Sequence, residues 1–91
     1  MYTITNYSKQ QAKKLGVELV PSSNPDKKID VYKNFNKITS IGASGYPDYP
    51  THMKIEGKAY ANERRRLYRL RHKVEEKKIG SAGYYAWKIL W

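Results

Sequence analysis

Six arginines and lysines fall within Arg64-Arg65-Arg66-Leu67-Tyr68-Arg69-Leu70-Arg71-His72-Lys73, and Lys77 and Lys78 follow closely. Arginine's planar fork suits phosphate oxygens and guanine edges. A run this dense neutralises several phosphates at once. Each such contact releases counterions, so affinity falls with salt at a log–log slope of ~0.9 per contact on duplex DNA. The chemistry is recognition of a polyanion, which sets a partner class and no sequence preference. Arg64, Arg65, Arg66, Arg69, Arg71, Lys73, Lys77 and Lys78 are the candidate nucleic-acid-binding residues. The competing reading is a solvated helix face, softened at its ends by Glu63, Glu75 and Glu76. All five arginines of the chain lie between Arg64 and Arg71, so the charge is a local feature.

Tyrosines interleave with this run. Tyr68, Tyr84 and Tyr85 are the candidate stacking residues, with Tyr60 nearby, because an exposed ring can stack on an unpaired base. The competing use of these rings is the core, which the chain needs. A second pattern, Pro47-Asp48 followed by Glu56-Gly57-Lys58, imitates the carboxylates and lysine of magnesium-dependent nucleases. That chemistry needs its residues on adjacent strands, whereas here they straddle a loop and a helical stretch, so no catalytic residue is assigned and the chain reads as a non-enzyme. His52 and His72 have no neighbouring carboxylate pattern, and His72 joins the cationic patch only when protonated. No cysteine is present, which removes disulfides, thiolate metal sites and cysteine nucleophiles. Gly42, Gly45 and Gly57 lack the Lys-Ser/Thr of a phosphate-binding loop. No metal or cofactor is expected.

These side chains must be carried by a very small body. With 91 residues and a formal net charge of +10, the chain has room for one small domain and not for a deep enzyme cleft. Residues 1–51 hold seven lysines against four acids, and 52–91 hold eleven Lys/Arg against four acids. Such a single-sign field attracts polyanions and repels itself. Leu, Ile, Val and Phe number 17 of 91, a fraction at which a charged chain is suspected of disorder. Nine tyrosines and two tryptophans answer that suspicion, since each large ring buries ~150–250 Å². No apolar run approaches the ~18 residues of a membrane span, and the N-terminus lacks the pattern of a secretory signal.

The periodicities predict an α+β fold, with 1–50 mainly β around one short helix and 51–91 helical. Tyr2–Thr5 reads as an edge strand. Ser8 caps a helix from Lys9 to Leu15 that stops at Gly16, and residues 16–20 form the next strand. Lys28–Lys33 and Lys37–Ile41 make a hairpin over a three- or four-residue loop. Its Ile29 and Val31 point inward, and a bulge is expected near Ile38 and Ile41. The tyrosines of the 46–50 loop are expected over the sheet. Thr51 caps a helical half that kinks near Gly57 and runs from Lys58 to about Lys78. Its stripe is Tyr60, Leu67, Leu70 and Val74, with Arg65, Arg66, Arg69 and Lys73 turned outward. Ser81 caps a last helix, Tyr84–Leu90, so apolar that it must dock on the sheet. The sheet, of three to four strands, thus packs against a long basic helix and a short final one.

Several strings together resemble a family of small basic proteins encoded by large nucleocytoplasmic DNA viruses of algae and amoebae. They are Lys9-Gln10-Gln11-Ala12-Lys13-Lys14-Leu15-Gly16-Val17, Lys28-Ile29-Asp30-Val31 and Ile41–Thr51. Glu63-Arg64-Arg65-Arg66-Leu67-Tyr68, Arg71-His72, Gly80–Ala86 and Leu90-Trp91 extend the resemblance over nearly the whole chain. Ala82 and Trp87 stand where the family pattern has proline and a polar residue. The resemblance implies a viral source, and a place in the virion or infected cell, without an activity. The expected partner is nucleic acid, DNA ahead of RNA. The alternative is a minor capsid protein whose aromatic and basic surfaces meet other capsid proteins.

Overall fold

In the computed structural model, which describes residues 2–91, the chain runs α1 (Asn6–Leu15), β1 (Glu18–Pro21), β2 (Lys27–Lys33), β3 (Asn36–Ala43), α2 (Tyr49–Glu56), α3 (Lys58–Arg71), a 3-10 turn (Glu75–Lys77) and α4 (Ala82–Ile89). The fold is α+β. The three strands are antiparallel in the order β1-β2-β3, with Leu19 opposite Val31 and Ile29 opposite Ile41. Tyr2–Thr5 forms no strand. Its side chains serve instead: the Tyr2 hydroxyl donates to Asp48 Oδ2 at 2.7 Å, and Thr5 Oγ1 caps α1 by accepting from Ser8 N. The cap therefore sits three residues earlier than Ser8. Ser8 is free to donate its hydroxyl to the buried carbonyl of Ile89 at 2.9 Å, tying α1 to α4.

Gly16 closes α1 at φ +72°, with its N–H on the carbonyls of Ala12 and Lys13. This left-handed turn suits glycine and delivers Val17 into the core. The β2–β3 hairpin turns on two residues, Asn34 and Phe35, at φ +52° and +66°. Two consecutive left-handed residues match the twist of the strands, so the loop is shorter than the expected three or four residues. The register shifts between Val31–Thr39 and Tyr32–Lys37, which leaves Ile38 unopposed as the predicted bulge.

One face of the sheet buries Ile29, Val31 and Ile41 against Ala12 of α1 and Ile89 and Leu90 of α4. Each large side chain sealed here gains about 1.5–3 kcal/mol by leaving water. The last helix thus docks as its composition demands, capped by Ser81. α1 and α4 make the direct helix contacts with the sheet, while α3 lies beyond and packs on α2.

Three expectations for the helical half are corrected. Asp48, not Thr51, caps α2, accepting from Thr51 N at 3.0 Å. Pro50 fits the first turn, where its missing N–H is no loss. Tyr49 is buried, but against Tyr7 and α3 instead of over the sheet, and Tyr46 is exposed. Third, α3 stops at Arg71 and not at Lys78. Past Arg71 the chain bends so that the 3-10 turn packs on α4, with Glu75 against Gly83.

Candidate nucleic-acid interface

Gly57, at φ +95°, breaks the helical half and sets the roll of α3. Ala61 is fully buried at the α2–α3 contact. A small residue there lets the helices approach, and it fixes which positions follow it inward: one turn on, Arg65, and two turns on, Tyr68 and Arg69. The stripe expected from apolar spacing is not the buried one. Tyr60, Leu70 and Val74 are exposed, and Leu67 is half-buried. Arg65 and Arg69, expected to face outward, are half-buried against rings.

The Arg65 guanidinium lies 3.4 Å from the Tyr49 ring centroid and donates through Nη2 to the Tyr7 hydroxyl at 3.2 Å. Tyr49 is itself held by its hydroxyl bond to Asn62 Oδ1 and its backbone N–H bond to the Leu90 carbonyl. Arg69 donates through Nη2 to the main-chain oxygen of Trp91 at 3.0 Å and sits 5.5 Å over the Trp87 ring. The Nε atoms of both are covered and unpartnered. Neither guanidinium meets an acidic side chain: the described ion pairs engage Lys28, Lys37, Arg66, Lys88 and the two histidines only. Arginine tolerates this because its weakly hydrated plane stacks on aromatic faces and its stem packs as hydrocarbon. The consequence is electrostatic. Rings, the Tyr7 hydroxyl and a main-chain oxygen hold these cations in place, with no acidic side chain set against either.

The eight candidate cations separate by helical position. Arg65, Arg66, Arg69 and Lys73 line one groove of about 670 Å³, floored by Trp87 and edged by Asn62, Leu70 and Glu76. Glu76 is its one acid and lies 3.7 Å from Lys88. Arg66 is paired with Glu63 at 2.6 Å, and that exposed pair lowers the carboxyl below its ordinary range. Arg64 and Arg71 lie on the other side of α3, lining a separate cleft. Lys77 and Lys78 are exposed at and after the 3-10 turn and line neither.

The proposed stacking residues are committed within the protein. Tyr68 stacks on Trp91 at 4.5 Å and on His72 at 4.3 Å, and its hydroxyl pKa is raised, first by burial and then by Glu75. Tyr84 and Tyr85 pack edge to face at 5.3 Å, both half-buried. Among the nuclease-like residues, Asp48 is buried and fully engaged by Thr51 N, Tyr2 and Lys28, while Glu56 bonds His52 Nδ1 at 2.8 Å. Among the described residues no cluster of His, Asp or Glu is placed to hold a metal ion. No helix there is long and apolar enough to cross a membrane.

Sequence reasoning missed the supports: Tyr7, Tyr49, Trp87 and the main-chain oxygen of Trp91. Their one local signal was Ala61, a small residue amid long ones. No family model, curated protein or solved structure matches the chain.

Proposed function

We propose that the chain is a nucleic-acid-binding protein that grips phosphates, with weak sequence selectivity, through the groove on α3. One observation carries this reading: Arg65 and Arg69 are positioned by rings, the Tyr7 hydroxyl and a main-chain oxygen, so the groove keeps Arg65, Arg69 and Lys73 without an acidic side-chain partner, beside Arg66 on its Glu63 pair. Phosphate contact positions a protein on nucleic acid without reading sequence. DNA stands ahead of RNA, and the resemblance to proteins of large DNA viruses suggests a role in the virion or in genome packaging.

The test is binding to a nonspecific duplex across a salt series. Affinity falls steeply as salt rises. Replacing the exposed Arg66 and Lys73 by glutamate weakens binding and lowers the log–log slope by about 2, roughly one per lost contact. Binding that ignores salt overturns the reading. A second reading rests on Leu70, Val74 and Ile79, large exposed apolar side chains of which Leu70 lines the groove. They favour a protein contact, as in a minor capsid protein, and co-sedimentation with empty capsids tests it.

A further inference from the structure

The opposite side of α3 carries a cleft of about 420 Å³ between the helix and the 46–48 loop. This lies within the range of small-ligand sites, ~300–1,000 Å³. Its composition is specific. Two rings with open surface, Tyr46 and Tyr60, line it at 71% and 45% exposure. Behind them the parallel Tyr68–Trp91 stack, 7° between planes, forms a fixed wall. Arg64 and Arg71, two turns apart on one side of α3, line the same cleft, and neither has a carboxylate partner among the described ion pairs.

The exposed Tyr46 is held on an anchored backbone. Lys28 Nζ donates to the Tyr46 carbonyl and, at 3.1 Å, to Asp48 Oδ2. Asp48 in turn caps α2 and accepts from Tyr2. The loop is therefore tied to the sheet, to α2 and to the N-terminal segment. Lys28 is buried, and its ammonium also lies 5.3 Å from the Tyr2 ring centroid. Solvent-facing rings on a fixed backbone, with cations alongside, suit a flat aromatic group that bears a phosphate.

We propose that this cleft binds one nucleoside monophosphate unit, its base against Tyr46 and Tyr60 and its phosphate on Arg64 and Arg71. The unit is either a free nucleotide or an unpaired nucleotide of a strand; a base stacked inside a duplex cannot present its face to the rings. The proposal deepens the nucleic-acid reading, because occupancy by a strand makes the protein prefer single-stranded to duplex nucleic acid. It stands on residues separate from the phosphate groove.

The experiment uses the full chain and three probes: adenosine 5′-monophosphate by calorimetry, and a short labelled oligothymidylate and a duplex of matched phosphate number by fluorescence anisotropy. Tyr46→Ala and Arg71→Ala remove exposed side chains, and circular dichroism verifies their folding. Each variant is expected to weaken oligothymidylate binding about tenfold, as loss of one stacking or charged contact does, while duplex binding stays within about twofold. Saturable binding of the mononucleotide, weakened by the same variants, identifies the free nucleotide as a ligand as well. Its absence, with the single-strand effect intact, assigns the cleft to a strand. If Tyr46→Ala leaves both single-strand and mononucleotide binding unchanged, or weakens duplex equally, the proposal is overturned. Failure of the groove reading is separate: duplex binding that ignores salt and the Arg66 and Lys73 changes sinks that reading, whatever the mononucleotide does.

Discussion

Asp48 shows how much one side chain organises. It is 1% exposed, caps α2, pairs with Lys28 at 3.1 Å and accepts from Tyr2. Burial opposes its ionisation, but the bonds from Thr51 and Tyr2 and the Lys28 charge outweigh this and hold its pKa below the ordinary carboxylate value. A carboxyl lowered in the native state contributes stability that is fully present above its unfolded pKa, ~3.9. That contribution is lost as pH falls through the lower native value. Asp30, lowered chiefly by the Ser40 hydroxyl, acts in the same direction. Asp48→Asn leaves the Lys28 ammonium buried without a counter-charge and is expected to cost about 3–5 kcal/mol at pH 7. Its stability then declines less steeply than wild type below pH ~4. Urea unfolding at neutral and acid pH measures both effects, and a variant as stable as wild type at pH 7 contradicts the assignment.

At the scale of elements, close approach governs which glycines are indispensable. Gly42 sits at φ +80° in β3, and a Cβ there would lie 2.8 Å from Leu90 Cδ1 and 3.0 Å from Lys28 Cδ. β3, the end of α4 and the lysine that holds the 46–48 loop converge on that point. Gly16, at φ +72°, would place its Cβ in open space. Gly16→Ala should therefore lose only the left-handed penalty, about 1–2 kcal/mol. Gly42→Ala adds overpacking of about 1–3 kcal/mol and should lower the thermal midpoint further. Equal losses at the two sites would mean that Leu90 yields at no cost. The arginines obey the same logic. Once Gly57 and Ala61 set the roll of α3, Arg65 and Arg69 point at rings whatever their charge prefers.

For the whole molecule, a net charge of +10 on 91 residues works against compaction, and a small core must offset it. That core is shared between distant parts of the chain. Val17 and strands β2 and β3 meet Ile89 and Leu90, and the Ser8 hydroxyl bonds Ile89 across 81 positions. Removing residues 84–91 strips Ile89 and Leu90 from the sheet and leaves α1 as its only helical cover among the described residues. The truncated chain is expected to lose cooperative thermal unfolding, read by circular dichroism. A truncated chain that still melts cooperatively near the wild-type midpoint would show that α4 is dispensable.

The local patterns settled a good deal. Alternation of Ile29 and Val31 against polar neighbours defined β2, and the mismatch at Ile38 marked the bulge. Gly16, Gly57 and Ser81 marked helix boundaries, and the apolar density after Tyr84 required docking. Each of these is an interaction between residues a few positions apart, or a demand of composition alone. The arginine run also placed all five arginines within eight positions of α3. What the amino-acid order could not convey was direction. Arg65 meets Tyr7 across 58 positions and Arg69 meets the main-chain oxygen of Trp91 across 22. Tyr46 lines the same cleft as Arg64 and Arg71, and its carbonyl is held by Lys28 of β2, 18 positions away. An apolar stripe is a reliable guide where burial drives packing. On α3 that guide failed, because stacked guanidinium groups took the inward positions and left Leu70 and Val74 in water. Tertiary contact alone divided one basic run into a groove and a cleft, since a helix disperses adjacent residues around its axis and only its neighbours decide what each side becomes.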